Sequence, residues 1–131
     1  MFYYLLGLGS NLNPQLNINK AIEALSGLGN VVDQSPVLTT PPVGDTFHHE
    51  FCNQLVILQS EIPPPLLKHR LQMVEVDLGR EPKSPARKTK DRTIDIDIMG
   101  QADNHTACRN LPLEEPYYQR VKQQWHQTEN V

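Results

Sequence analysis

Cysteine is scarce in this chain, with only Cys52 and Cys108 among 131 residues. A small domain stapled by disulfides would carry more, and a chain of this length can bury a modest core without them. A pairing of the two stays open, and two reduced thiols are the expectation. Long hydrophobic runs are missing too: nothing approaches the roughly 18 apolar residues that suggest a membrane span. The opening "MFYYLLGLGSN" is apolar but short. It has no basic leader and no cleavage site, so it reads as a first strand rather than a signal peptide. Positive charge is in deficit. The formal net charge is −3, which offers no general attraction for nucleic acid or an anionic membrane, so an anion site must be a local basic patch. Familiar signatures are lacking as well. "GLGSN" (7–11) misses the third glycine of a dinucleotide fingerprint, and GxxxxGK[ST] does not occur. No nucleophile elbow is visible, and the side chains of the adjacent His48 and His49 diverge if that segment is extended, so a structural zinc site is not expected. A single cytoplasmic domain is expected, with residues 1–100 as its core and 101–131 as a short tail, partly helical.

What is present alternates between strand and helix patterns. Residues 2–8 form a candidate buried strand. Asn13 suits a helix N-cap and Pro14 the first helical position. Apolar residues at 18, 21, 22, 25 and 28 then make a helical stripe, which Gly27 and Gly29 end. Residues 30–40 form a second strand interrupted at Pro36, hence bent or at an edge. Residues 50–60 form a third, with Phe51, Asn53, Leu55 and Ile57 on one side. The prolines at 63–65 start a second helix whose core face is Leu67, Leu71, Val74 and Leu78, closed by Gly79. A last strand covers 93–99. The order β-α-β-β-α-β predicts an α+β, ferredoxin-like sandwich: an antiparallel sheet with both helices on one face. The other face is left open for a ligand. The tail could dock Tyr117, Val121 or Trp125 through a short helix, or bind a partner, and a homodimer is compatible with the open face.

In "DRTIDIDIMG" (91–100), isoleucines 94, 96 and 98 fall on one strand face, with Asp95 and Asp97 together on the other. Neighbouring carboxylates repel unless something cationic compensates them. An exposed polar strand face is one reading. The preceding segment supports another, because "REPKSPARKTKDR" (80–92) sets six basic residues against two acidic ones, a local charge of +4. Carboxylates suit Mg²⁺, which keeps waters and is shared with phosphates, and guanidinium and ammonium groups clamp the same phosphates. A solvated hinge is the plainer alternative for the basic segment. "TTPPVG" (39–44) is a stiff turn that is either a rigid connection or a backbone edge for a flat heterocycle. Phe51 and Asn53 are either core or a ring and carboxamide facing a ligand. Gln72 and Glu75 lie off the apolar stripe of the second helix, which leads into the basic segment.

Taken together, "GLGSNL" (7–12), "TTPPVG" (39–44), "EFCNQLV" (50–56), "EVDLGR" (75–80) and "DRTIDIDIM" (91–99) resemble, in order and spacing, the 6-hydroxymethyl-7,8-dihydropterin pyrophosphokinase family. The resemblance covers about residues 3–100. It implies a ferredoxin-like core and transfer of pyrophosphate from ATP to a pterin hydroxymethyl group, with release of AMP. It also implies ATP and a pterin as partners, and Mg²⁺ as cofactor, with two ions when ATP is bound. By the same resemblance, Asp95 and Asp97 hold the metal. Thr40, Pro42, Val43, Phe51 and Asn53 contact the pterin, and Gln72, Glu75, Lys83 and Arg87 face ATP. Arg80 and Arg92 act with the aspartates in catalysis.

The chain departs from that pattern in places. Residues 85–91 hold no aromatic to close over the pterin. In "LPLEEPYYQRV" (111–121), Leu113 stands where the family has histidine. Arg120 falls one residue late, and Val121 replaces an aromatic. The family's further C-terminal segment is missing. A ring from Tyr117, Tyr118 or Trp125 could arrive from another direction. The expectation is a short, divergent pyrophosphokinase with slow turnover or another pterin preference. The alternatives are a non-catalytic pterin- or nucleotide-binding paralogue, and a small interaction module.

Overall fold

A computed structural model of the chain describes residues 1–41, 50–79 and 94–129. Its elements run β1 (Phe2–Ser10), α1 (Pro14–Leu25), β2 (Asn30–Gln34), β3 (Leu38–Thr40), β4 (Phe51–Ser60), α2 (Pro64–Asp77), β5 (Asp95–Ala102), α3 (His105–Arg109) and α4 (Pro116–Glu129). Pro36 splits the expected second strand into β2 and β3, both paired antiparallel to β4. The sheet order is β2–β4–β1–β5, with β3 also on β4. Counting β2 and β3 as one bent strand, this is the ferredoxin-like order that the element sequence predicts. All these pairings are antiparallel.

Alternation along the strands builds two cores. The even-numbered residues Tyr4, Leu6 and Leu8 of β1, Val56 and Leu58 of β4, and Ile96 of β5 face α1 and α2. There they meet Ile18, Ala21 and Leu25 of α1 and Leu67 and Leu71 of α2, with Val74 and Leu78 packed at the margin. The stripes read from the sequence are therefore the buried faces. Each fully buried Leu or Ile contributes roughly 1.5–3 kcal/mol. Asn13 does sit at the N-cap of α1, but with φ 41° and ψ 55° and no capping bond from its side chain. That left-handed conformation is one asparagine tolerates. Gly79, at φ 103°, closes α2 in the same region.

The second face is not left open, as the sequence suggested. Leu5, Leu55, Ile57 and Leu38 are apolar on that side and need cover, and α3 and α4 supply it with Cys108, Tyr118, Val121 and Trp125. Of the tail residues expected to dock, Val121 and Trp125 are buried, whereas Tyr117 is 42% exposed and its neighbour Tyr118 takes the inward place. Tyr118, Val121 and Trp125 follow the three- and four-residue spacing of one helix face. A guanidinium fastens this layer. Arg109 donates from Nη1 to Asp33 Oδ2 on β2 (3.1 Å) and from Nη2 to the Trp125 carbonyl (3.2 Å), with its Cζ over the indole, 4.2 Å from the ring centroid. His105 Nε2 meets the same Asp33 oxygen at 2.7 Å.

Candidate functional site

Register places the expected site residues of the strands in rows across the α4 face. Asn53 on β4 lies opposite Gly9 on β1, and Gly9 lies opposite Asp95 on β5. One step along, Leu55 pairs with Gly7, and Gly7 with Asp97. On the far side, Leu38 pairs with Asn53 and Thr40 with Phe51. The face thus carries a carboxamide at one side, two carboxylates at the other, and two glycines between. Because a strand spacing is about 4.8 Å, Asn53 and Asp95 are set roughly 10 Å apart. The isoleucines of β5 point the opposite way, Ile96 buried and Ile98 partly so against α1 and α2, as the alternation predicts.

The glycines make the floor flat. A Cβ added at Gly7 would lie 2.6 Å from Cζ of Tyr118, inside any allowed contact, and one at Gly9 would lie 2.9 Å from Asn53 Nδ2 and 3.7 Å from Tyr118 Oη. The Tyr118 ring therefore rests on the β1 backbone, with its hydroxyl hydrogen-bonded to Asn53. Burial is the main reason its phenol is pushed well above 10.0. The nearby Asp97 and Asp95 charges push the same way, and the bond to Asn53 opposes them. Sequence reasoning named Tyr118 only as one of three candidate rings. The glycines alternating at 7 and 9 were the signal that something flat covers this part of the strand.

Asp97 is exposed and Asp95 half-buried. Among the described residues, no group of three or more His, Cys, Asp or Glu side chains could hold a metal ion. The donor set is two hard carboxylates, which suits an ion that keeps waters and shares phosphate oxygens and does not suit an all-protein cage. Glu75 is not a solvated helix residue. It is 7% exposed, and its Oε2 accepts from the Ile96 backbone N–H at 2.8 Å, joining α2 to the strand that carries both aspartates. Gln72, one turn earlier, is exposed. Thr40 and Phe51 are half-buried at the β3–β4 end. Pro42, Val43, Arg80, Lys83, Arg87 and Arg92 lie outside the described residues, as do His48 and His49. Cys52 and Cys108 are free thiols, and burial pushes Cys108 up to about 11.

Fold and face together define a class: an α+β open-sheet domain of ferredoxin-like strand order whose glycine floor lies between a carboxamide and a carboxylate pair. Residues 5–126 match the sequence profile of 7,8-dihydro-6-hydroxymethylpterin-pyrophosphokinase. The chain belongs to that family. It is similar to the 2-amino-4-hydroxy-6-hydroxymethyldihydropteridine pyrophosphokinase of Porphyromonas gingivalis, 38% identical over 96 residues, covering 72% of this chain and 65% of that protein. It is similar to the proteins of that name from Haemophilus influenzae, at 32% over 116 residues, and Helicobacter pylori, at 36% over 121 residues; each match covers 86% of this chain and 69% of the relative. The chain thus spans about two-thirds of the length of these curated relatives, and slightly less for the first.

Proposed function

We propose that the chain transfers pyrophosphate from ATP to the hydroxymethyl group of 6-hydroxymethyl-7,8-dihydropterin, releasing AMP, as a step of folate biosynthesis in the cytoplasm. The observation that carries this reading is the row Asn53–Gly9–Asp95, with Asp97 one step along the strand. A carboxamide offers a donor and an acceptor to the edge of a heterocycle. Roughly 10 Å away, a distance a bicyclic ring and its hydroxymethyl arm can bridge, two carboxylates can hold a cation beside phosphates. Family membership supports the same chemistry.

In this reading Asp95 and Asp97 hold Mg²⁺, with a second ion entering alongside ATP. When bound, the metal would screen the phosphates and make the attacking hydroxyl more acidic. Asn53 orients the pterin edge, with Thr40, Phe51, Pro42 and Val43 around it. Gln72, Lys83 and Arg87 face ATP. Glu75 acts there through the strand it holds. Arg80 and Arg92 balance the charge that develops as the bond to the β-phosphorus breaks, an effect that is strongest where water is excluded.

The test is AMP release from Mg²⁺–ATP with and without 6-hydroxymethyl-7,8-dihydropterin, with an Asp97→Ala variant alongside. AMP that appears only with the pterin and vanishes in the variant supports transfer. No AMP above background, with the pterin still bound by calorimetry, would leave a binding protein and sink the transfer.

A further inference from the structure

Tyr118 covers the glycine floor between Asn53 and the aspartate pair. Its Cζ, Oη and Cε2 atoms are 2.6, 2.8 and 2.9 Å from the place a Gly7 Cβ would take, so the ring lies directly on the strand backbone. Its hydroxyl and the Asn53 amide nitrogen converge over Gly9. Tyr118 is 3% exposed and Asn53 7%, so the pair is closed to solvent. A planar ring carrying a polar group on the Asn53 carboxamide is what a hydrogen-bonding heterocycle would also present. The close-packed space above Gly7 and Gly9 cannot hold both.

We propose that Tyr118 is an intramolecular occupant of the heterocycle subsite, held over Gly7 and Gly9 by α4, which a ligand must displace to reach Asn53. This inference rests on reading the face as a pterin site. The fold supplies a way out for the ring. Tyr118 is in the first turn of α4, where the backbone amides lack intrahelical partners and opening costs least. The far end of the helix is held separately: Trp125 is buried beneath Arg109, which is tied in turn to Asp33. The first turn can therefore unwind while the rest of α4 stays docked. A site that is free only part of the time binds more weakly by that fraction.

The experiment is a titration with 6-hydroxymethylpterin, without ATP, of the full chain and of Tyr118→Phe, Tyr118→Ala and Asn53→Ala. Tyr118→Phe keeps the ring but frees the carboxamide and is expected to tighten binding about threefold. Tyr118→Ala clears the floor and is expected to tighten it about tenfold or more. Hydrogen exchange of the unaltered protein at saturating 6-hydroxymethylpterin should quicken at Gln119, whose N–H bonds to the Glu115 carbonyl, and at the two amides after it, while the Trp125 end stays protected. This second measurement decides the matter if Tyr118→Ala fails to fold. Binding that Asn53→Ala abolishes, but that neither Tyr118 variant tightens and that leaves exchange unchanged, would keep the pterin site and overturn the occupant. No binding by the protein or any variant would overturn both.

Discussion

Glu75 Oε2 accepts a hydrogen bond from the backbone N–H of Ile96 at 2.8 Å, in the interval between Asp95 and Asp97. A helix carboxylate thus occupies an amide of the sheet's edge strand and ties α2 to the strand that carries the two aspartates. Glu75→Ala would leave that amide without its acceptor and should cost about 1–3 kcal/mol in urea unfolding. Glu75→Gln keeps an acceptor oxygen and should cost less. The same order should appear in Mg²⁺–ATP affinity, since both substitutions act through the aspartate strand. A Glu75→Ala midpoint equal to that of the unaltered protein would refute the role.

Gly7 and Tyr118 should be strongly coupled. A methyl group at residue 7 would sit 2.6 Å from the Tyr118 ring, so Gly7→Ala must push the ring off the strand, at a cost of about 1–3 kcal/mol. With Tyr118→Ala already in place the clash is gone, and Gly7→Ala should then be nearly neutral. A double-mutant cycle measures this, with a coupling energy above about 0.5 kcal/mol expected for residues in contact. Additive effects would mean the ring does not rest where the geometry puts it.

Much of the architecture was legible because periodicity is a local property. Ile94, Ile96 and Ile98 against Asp95 and Asp97 gave the face of β5. Phe51, Asn53, Leu55 and Ile57 gave that of β4, and Leu67 and Leu71 the buried line of α2. Pro36 marked the break between β2 and β3. What escaped depends on contacts far apart in sequence. The tail's inward residue is Tyr118 and not Tyr117 because α4 must meet Leu55 and Ile57, a requirement that spacing within the tail does not contain. Glu75 lies off the apolar stripe, and its burial has no local signal because its partner is a backbone amide 21 residues away. Asn13 has the composition of a cap but spends its conformation on a left-handed turn. Gly7 and Gly9 carried a message about Tyr118 that needed the ring's position to be read.

Arg109 is predicted to hold the tail on the sheet. It is 9% exposed, bonded to Asp33 and the Trp125 carbonyl, and stacked on the indole. Arg109→Ala leaves the Asp33 carboxylate without that guanidinium and removes the lid from Trp125, a loss of about 3 kcal/mol. Trp125 is the chain's single tryptophan, so its fluorescence reports the site directly. The emission should move to longer wavelength in Arg109→Ala before global unfolding. Asp33→Asn should give a smaller effect, since an amide oxygen can still accept from the guanidinium. An unshifted emission with unchanged stability would show that α4 is held by its apolar face alone.

Alkaline pH should weaken the fold, and the sign follows from burial. Cys108 is raised from 9.0 to about 11, so the folded state keeps its thiol protonated where the unfolded chain has begun to lose the proton. Its contribution is complete below pH 9.0 and is lost as pH rises towards about 11. Tyr118, raised well above 10.0 for the same reason, adds a further loss at the upper end of that window. Urea midpoints measured from pH 8 upward should therefore be level at first and then fall. Cys108→Ala should flatten the part of the fall that begins near pH 9, and Tyr118→Phe the part that begins near pH 10. At pH 8 the protonated, buried Cys108 should also resist alkylation until the protein unfolds, while half-buried Cys52 reacts first. Midpoints that held or rose across the window, or a Cys108 labelled as fast as Cys52, would place Cys108 in a wetter setting than the α3–α4 layer provides.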